Sequence, residues 1–468
     1  MLKPATPEAY DLLHKGTLAL ANIEANGIKI DVDYLDQALI DIDVDIKRAE
    51  EKLKKSSVWK LWTRKFGSRA GLGKNQQLAS IIFGEMGHPI LFSTNKGAPK
   101  TDEAAFEHID LPFVQRYFKW KKLQKIKGTY LKGIKRETCD EFLYCFYHLH
   151  LARTYRSSSS LINMQNQPVR DPFAGEFIRR CFIPRDSDRV LVEIDFSGIE
   201  VRIAAAYCKD PTLIRYIKDP TKDMHRDMAA QIYCCKPEQV TKMARYCAKN
   251  MFVFPEFYGS YFAQCAPNLW SACVKHKLDV DGIPMQEWLK SQGIKKLGEK
   301  DSNYDTGRIK TKKGTFYDHV RNVEEDFWGN RFKVYSQWKK KWYEKYLTNG
   351  GFHTLTGFTH EGYLKRNDVI NYPVQGSAFH CLLWTLTELN NYLVKNRMKS
   401  MIVGQIHDSI VADIHLDELD DYIEMARYTM TQALLDHWKW INVPIDVEID
   451  VTPPGGSWYE KKPLEVAA

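Results

Sequence analysis

Two strand-like segments that lie far apart in this chain each end in an aspartate. In the first, residues 189–196 alternate hydrophobic and other side chains up to Asp195. In the second, two β-rich runs within residues 401–414 are interrupted at His407 and Asp408, which predicts a hairpin. We expect one sheet to contain both segments. The fold must then bring two distant carboxylates to the same edge of that sheet.

A helix-like stretch between these segments carries two cations. Arg245 and Lys249 are four residues apart and therefore share one helix face. Their mutual repulsion is a small cost that a bound triphosphate would offset. Paired carboxylates for divalent ions, with cations for a triphosphate, are the groups required for metal-dependent nucleotidyl transfer. The simpler alternatives are aspartates that only end strands and a solvated basic face.

Composition places the chain among ordinary globular proteins. Its 468 residues suffice for two or three domains, and no apolar run approaches the length of a membrane span. The net charge of +8 is compatible with a polyanionic partner. Lysines concentrate in residues 60–74, 119–132 and 339–341, where we expect phosphate contacts. The ten cysteines show no zinc-site spacing, so we expect reduced thiols and a cytoplasmic location, with an organelle as the alternative.

Three motifs carry a resemblance to a known family. DFSGIEVRIAA (residues 195–205), ARYCAKNMFVFPEFYGS (244–260) and GQIHDSIVAD (404–413) resemble motifs A, B and C of the family A DNA polymerases. Further matches precede motif A at 154–170 and motif C at 371–378. The likeness runs in the expected order from about residue 10 to the C-terminus. One motif alone would be weak, but the ordered set is highly specific.

The resemblance implies a mixed α and β, multidomain fold with the architecture of a right hand. The palm would hold an antiparallel sheet, and the thumb and fingers would be helical. The boundaries implied are a lead-in at 1–30, thumb 31–135, palm 136–210, fingers 211–350 and second palm part 351–468. Within the fingers, about 266–325 would be an insertion, whose polar part at 291–313 we expect to be exposed.

The resemblance also implies roles for individual residues. Asp195, Asp408 and the backbone carbonyl of Phe196 would hold two Mg²⁺ ions. Arg245, Lys249 and His225 would contact the triphosphate of a dNTP. The remaining residues implied in catalysis or in contacts to the substrate and the primer end are Arg156, Asn163, Gln165, Glu200, Phe254, Tyr258, Gln375 and His407.

Glu200 has two competing interpretations. Ser197-Gly-Ile-Glu200 has the spacing of a capping box, in which the glutamate would cap the helix that follows motif A. In the family, the matching glutamate closes the space beside the sugar 2′-carbon and excludes ribonucleotides. We favour that second role, and both roles can coexist.

Motif B departs from the family pattern by one extra residue. Counting back from Tyr258 makes Phe254 the aromatic that stacks on the incoming base, whereas counting forward from Lys249 selects Val253. Pro255 cannot donate a backbone hydrogen bond, so we expect a bulge or kink in this helix. The resemblance implies that a phenylalanine at the stacking position disfavours dideoxynucleotides and that a tyrosine favours them.

Motif C departs as well, because Ser409 stands where the family commonly has a glutamate. The two principal carboxylates remain, so we expect activity to survive. Arg156, Asn163, Gln165 and Gln375 match residues that read the minor groove at the primer end. Every base pair presents acceptors there, so donors at these positions would sense pairing geometry without reading sequence.

The sequence therefore predicts a DNA-templated DNA polymerase that adds dNTPs to a primer 3′-end in replication or repair. Its partners would be primer-template DNA, dNTPs and accessory replication proteins, and the chain would be a monomer without membrane association. A single-subunit RNA polymerase and a catalytically inactive nucleic-acid-binding relative are the alternatives. The first thumb landmark lies at residues 24–27, so we expect no proofreading exonuclease domain in this chain.

Overall fold

The computed structural model describes residues 3–90, 92–94, 96–106, 109–168, 171–298, 301–302 and 309–464. These residues form helices joined by short antiparallel strands. The α-helices are α1 (Pro7–Asn26), α2 (Val32–Lys54), α3 (Ser57–Phe66), α4 (Asn75–Ala79), α5 (Glu103–Phe106), α6 (Pro112–Lys125), α7 (Lys132–Glu137), α8 (Pro172–Arg179), α9 (Ile199–Cys208), α10 (Pro211–Lys218), α11 (Met224–Ile232), α12 (Lys242–Ala248), α13 (Phe254–Phe257), α14 (Phe262–Lys275), α15 (Met285–Ser291), α16 (Phe316–Asp326), α17 (Lys333–Asn349), α18 (Arg366–Lys395), α19 (Leu419–Tyr428) and α20 (Leu434–His437).

The strands are mostly short. They are β1 (Ile28–Ile30), β2 (Thr138–Cys139), β3 (Phe142–Leu143), β4 (Phe146–His148), β5 (Ser158–Ser160), β6 (Phe182–Ile183), β7 (Arg189–Phe196), β8 (Asp279–Val280), β9 (Ile283–Pro284), β10 (Asp301–Ser302), β11 (Ile309–Lys310), β12 (Gly351–His353), β13 (Thr359–Glu361), β14 (Met401–Ile406), β15 (Ser409–His415), β16 (Val447–Val451) and β17 (Lys462–Pro463).

A five-stranded antiparallel sheet joins the two aspartate segments. Its strand order is β14-β15-β7-β16-β17, and Ser409 on β15 and Glu448 on β16 both pair with Asp195 on β7. The predicted hairpin is confirmed, since β14 and β15 are joined at His407 and Asp408. His407 adopts a positive φ of 50°, a conformation suited to such a tight turn.

Two long helices lie against this sheet and the strands beside it. α18 is buried along most of its 30 residues. α1 packs on α18 so closely that a Cβ at Gly16 would come within 2.6 Å of Leu383. Asn26 at the end of α1 donates a hydrogen bond of 2.8 Å to the carbonyl of Ile402 on β14. The first thirty residues are thereby tied to the β14–β15 hairpin.

The N-terminal helices follow their apolar pattern. The buried residues of α2 are Leu35, Ala38, Ile42, Ile46 and Leu53, with the polar side chains facing outward. Further along the region expected to be a helical thumb, α6 and α7 form one helical stretch from Pro112 to Glu137, with a π-helical turn at Ile126–Leu131. Each of these longer helices thus packs against its neighbours through apolar side chains on two or more turns.

The helices between β7 and β12, within residues 199–349, form a third group, the central helices. The segment expected to be exposed at 291–313 overlaps residues 299–300 and 303–308, which lie outside the described part of the chain. Its residues 291–298 are mainly exposed. The expectation of a basic phosphate-binding run at 339–341 is wrong for Lys339, whose ammonium lies over the ring of Trp328, 3.1 Å from its centroid.

One hydrophobic core runs through the N-terminal helices, the central helices and the five-stranded sheet. A second, small cluster contains Tyr346, Phe352, Leu364 and Val369. All ten cysteines are free thiols, as expected from the sequence. Within the described ranges, no helix is both long enough and apolar enough to cross a membrane.

Candidate active site

The two aspartates meet at the end of β7. The Phe196 backbone N–H donates to the Asp408 carbonyl oxygen across 3.3 Å, which fixes the hairpin turn against the strand end. Asp195 is exposed, and Asp408 is half-buried. Crowding by protein and then the negative charge of Asp408 raise the pKa of Asp195 to about 7. Burial also raises the pKa of Asp408, so each carboxylate needs a compensating cation to remain charged.

Further carboxylates surround this pair, and sequence reasoning missed them. Glu193 and Glu448 both contribute to the raised pKa of Asp195. Glu193 is neutralised by Lys461 at 2.6 Å and also accepts the Trp458 indole N–H at 2.7 Å. Glu448, by contrast, makes no ion pair within the described part of the chain. Its position opposite Asp195 follows from the strand register, which the sequence pattern does not reveal.

The donor chemistry at this edge suits hard divalent cations, because Asp195, Asp408 and the Phe196 carbonyl offer only oxygen ligands. Among the described residues, no three His, Cys, Asp or Glu side chains converge closely enough to hold an ion by themselves. A pair of carboxylates with open positions is typical of a site that substrate oxygens complete. The residues present therefore fit Mg²⁺ bound together with a phosphate-bearing substrate.

A cationic pocket lies among the central helices. Arg245 donates through Nε to Asp223 at 2.5 Å, and Lys249 lies at the following turn of the same helix. His225 has a buried Nδ1 with no hydrogen-bond partner within the described ranges. Burial, followed by the charges of Lys249 and Arg245, lowers the pKa of His225 to about 4. An anion would supply both the missing partner and the missing negative charge.

The extra residue of motif B is absorbed by a π-helical turn at Lys249–Val253, between α12 and α13. The bulge expected from the sequence is confirmed. Beyond it, Phe254 lies in the cationic pocket, with its ring centroid 5.6 Å from that of His225 and 5.2 Å from Lys249 Nζ. Phe252 and Val253 are fully buried. The aromatic ring available to a ligand is therefore that of Phe254.

Glu200 does not cap its helix. The N-cap residue of α9 is Gly198, in a left-handed conformation and without a side-chain cap, and Ser197 Oγ donates instead to Glu448 at 3.3 Å. The capping interpretation of Glu200, the less favoured of the two, is therefore wrong. Glu200 accepts hydrogen bonds from Arg156 and from the Tyr258 hydroxyl, which ties α9, the segment before β5 and the end of α13 together. Burial raises the pKa of Glu200.

The remaining predicted residues lie around this centre. Gln375 lines a cavity with Glu200, Phe254 and Tyr258. The Gln165 side-chain amide donates to Ser157 at 2.7 Å and to Gln405 at 3.1 Å, so its donors are engaged within the protein. Asn163 accepts from the Gln165 backbone N–H at 3.1 Å, and His407, in the turn between β14 and β15, is exposed.

Comparison with known proteins supplies the family. The profile of DNA polymerase family A matches residues 42–270 and 353–460, which is more than half of the chain. The chain belongs to DNA polymerase family A. It is 31% identical to the thermostable DNA polymerase I of Thermus thermophilus and 24% identical to DNA polymerase I of Bacillus subtilis. Both matches cover 95% of this chain but only 47% and 45% of the relatives.

A solved structure confirms the fold of this family A chain. The POL domain of Pol1 from M. smegmatis, in complex with a DNA primer-template and dNTP, superimposes with a TM-score of 0.73 at 21% identity. The match covers 95% of this chain and 70% of that domain. The predicted fold class, a mixed helical and antiparallel-sheet right hand, is therefore confirmed. The chain spans about half the length of the curated relatives it matches.

Proposed function

We propose that this chain catalyses template-directed addition of dNTPs to a primer 3′-hydroxyl. The observation that carries the proposal is the meeting of Asp195 and Asp408 at the end of the five-stranded sheet, where the charge of Asp408 also acts on Glu200 and Tyr258. The cationic pocket of Arg245, Lys249 and His225 adjoins the ring of Phe254, which lines one cavity with Glu200 and Tyr258. Membership of DNA polymerase family A supports the same assignment.

In this proposal, Asp195, Asp408 and the Phe196 carbonyl hold two Mg²⁺ ions. Bound there, the ions would activate the primer hydroxyl and neutralise charge on the transferring phosphate. The protein's own part is to fix the ligand positions. Pairing of β7 with β15, together with the Phe196 to Asp408 backbone hydrogen bond, holds both carboxylates at one point of the sheet.

The central helices would bind the incoming nucleotide. Arg245, oriented by Asp223, and Lys249 would contact the triphosphate, and His225 would donate one further hydrogen bond to it. Phe254 would stack on the base, and Tyr258 would lie under the nascent pair. Glu200, held by Arg156 and Tyr258, would fill the space beside the sugar 2′-carbon. Asn163, Gln165, Gln375 and His407 would lie along the primer end, with Gln165 first releasing an internal hydrogen bond.

The five-stranded sheet and α18 would then serve as the palm, the central helices as the fingers, and the N-terminal helices as the thumb. Primer-template DNA and dNTPs are the partners proposed. The predictions of a monomer, accessory replication proteins and a cytoplasmic location stay predictions. The basic residues of α6 that remain near the surface, such as Lys119 and Lys125, are candidates for contacts with DNA phosphates.

Primer extension with single nucleotides tests the activity. With Mg²⁺ and one dNTP at a time, the primer should grow only by the nucleotide complementary to the template. Equal use of ribonucleotides would favour the RNA polymerase alternative, and DNA binding without extension would favour the inactive relative. A labelled primer with a mismatched 3′-end, incubated without dNTPs, tests the remaining expectation that this chain does not excise nucleotides.

Glu200→Ala should admit ribonucleotides. Crowding of a 2′-hydroxyl against a packed side chain costs about 1–3 kcal/mol, so discrimination against ribonucleotides should fall by roughly 10–100-fold. The measurement is the ratio of kcat/KM for dATP and ATP on one primer-template. The control for a general loss of negative charge is Glu448→Ala, which removes a carboxylate from β16, the strand that pairs with β7. An unchanged ratio in a folded Glu200→Ala protein would remove Glu200 from the sugar site.

Phe254→Tyr should improve the use of dideoxynucleotides. The added hydroxyl can form a hydrogen bond beside the position of the missing 3′-hydroxyl, worth about 1 kcal/mol, or roughly fivefold in kcat/KM. The measurement is the ratio of chain termination to extension with mixed dTTP and ddTTP. Phe252→Tyr is the matched control, because Phe252 is fully buried. A larger change in the control would mean that the stacking residue has been misplaced.

A further inference from the structure

The extra residue in the helix of motif B raises a problem of register. A π-helical turn can form at different positions along a helix, and each position presents different side chains to the site. In this chain the turn lies at Lys249–Val253, which directs Phe254 into the cationic pocket and leaves Val253 in the core. A feature beyond the turn must therefore favour this register over its neighbours.

Glu256 is that feature. It follows Phe254 by two residues in α13 and is a carboxyl group only 1% exposed. Its Oε2 accepts the Trp328 indole N–H at 2.9 Å, and its Oε1 lies 3.7 Å from Cys265 Sγ. The proposed catalytic helix thus carries one buried polar anchor, which is bonded to the helices behind it rather than to the site.

The surroundings of the anchor leave it few alternative positions. Lys339 Nζ lies 3.1 Å from the centroid of the Trp328 ring, and Glu324 accepts the Phe262 backbone N–H at 2.7 Å. The next residue, Phe257, has its ring within 5.5–5.9 Å of four aromatic rings, those of Phe327, Trp328, Phe332 and Tyr335. A shift by one residue would move Glu256 into that apolar cluster. Loss of its partners there would disfavour the shifted register by roughly tenfold to a hundredfold.

This inference rests on the proposed function: we infer that Glu256 is a positioning residue. Its hydrogen bond with Trp328 fixes the register of α13, so that Phe254 and Tyr258 face the nucleotide. It touches no substrate itself.

The titratable groups around Glu256 are Lys339, Glu324 and Cys265, and a further charged group, Arg366, acts on Lys339. Burial raises the pKa of Glu256 to about 8 and lowers that of Lys339 to about 7. The neutral acid is therefore well populated at neutral pH, and glutamine is its closest mimic.

Cysteine labelling tests the register without reference to activity. Phe254→Cys and Val253→Cys are made separately, and peptide mapping after brief treatment with a maleimide quantifies labelling at each position. In the otherwise native chain, position 254 should react at least about tenfold faster than 253, because burial protects the latter. Addition of Glu256→Leu should bring the two rates within about threefold. A ratio that Glu256→Leu leaves unchanged would overturn the inference.

Kinetics test the positioning of the nucleotide. Trp328→Phe keeps an aromatic side chain but removes the N–H that Glu256 accepts, and should lower kcat/KM for dNTP about tenfold, mainly through KM. Trp338→Phe is the matched control, since Trp338 belongs to the same aromatic cluster but gives no hydrogen bond to Glu256 within the described residues. Glu256→Gln should stay within about threefold of wild type. Equal effects of the two tryptophan changes would contradict a specific role for this hydrogen bond.

A double variant separates positioning from stability. Removal of both buried ionisable groups in Glu256→Leu/Lys339→Met should recover the Tm lost in Glu256→Leu, because apolar replacements are tolerated when both partners change. The low kcat/KM should persist. Full recovery of kcat/KM with Tm would show a merely structural role and overturn the inference. If the wild-type chain fails to extend primers, the proposed function fails, whereas the labelling ratio still decides the register.

Discussion

Asp195→Ala and Asp408→Ala should each reduce primer extension about a thousandfold or more. Each change would remove a carboxylate proposed to hold the ions that neutralise the transferring phosphate. That electrostatic contribution is several kcal/mol, and 1.36 kcal/mol corresponds to tenfold in rate. Primer-template binding should change little, because nucleic-acid affinity resides mainly in contacts of basic residues with phosphates. Single-turnover extension in Mg²⁺ and a fluorescence-anisotropy titration with labelled DNA measure the two quantities separately.

The control for this pair is Asp421→Ala, since Asp421 is an exposed carboxylate in the first turn of α19. It should extend primers at the wild-type rate. Substantial Mg²⁺-dependent extension by either Asp195→Ala or Asp408→Ala would show that the metal assignment is wrong. A parallel loss of DNA affinity would instead mean that the sheet edge itself had been disrupted.

Local patterns predicted the elements that carry the carboxylates. Alternating side chains marked β7, and the break at His407 and Asp408 marked the turn between β14 and β15. These signals are local because strand alternation and turn geometry depend on neighbouring residues. The mismatch between the spacing of Lys249 and Tyr258 likewise predicted a bulge, since one extra residue in a helix must be accommodated by a local change in hydrogen bonding.

Interactions between distant elements were not predictable in the same way. The capping-box spacing at Ser197–Glu200 competed with hydrogen bonds from Arg156 and Tyr258, and these long-range partners determine the position of Glu200. Glu448 faces Asp195 only because β16 pairs with β7 in one particular register. Glutamates are mostly exposed in proteins, yet Glu256 is buried and accepts a hydrogen bond from Trp328, more than seventy residues later. Such contacts depend on tertiary packing, which overrides local preference.

Lys249→Ala should lower kcat/KM for dNTP by roughly 10²–10³-fold, the effect expected from removal of one preorganised charge at a reacting phosphate. Lys249 lies 5.2 Å from the Phe254 ring, and its charge helps to lower the pKa of His225, so it belongs to the proposed triphosphate pocket. Both parameters should change: KM should rise because the ground-state triphosphate loses a contact, and kcat should fall because charge on the phosphate increases in the transition state. Arg245→Ala should act in the same direction.

The control for Lys249→Ala is Lys290→Ala, which removes an exposed lysine at the end of α15 in the same set of central helices. It changes the net charge equally but lies outside the proposed pocket, so its dNTP kinetics should match those of the wild type. Steady-state extension at varied dNTP and saturating primer-template measures both variants. If folded Lys249→Ala retains wild-type kcat and KM, the helix that carries Lys249 does not bind the triphosphate. His225 and Arg245 would then bind a different anionic group of the substrate.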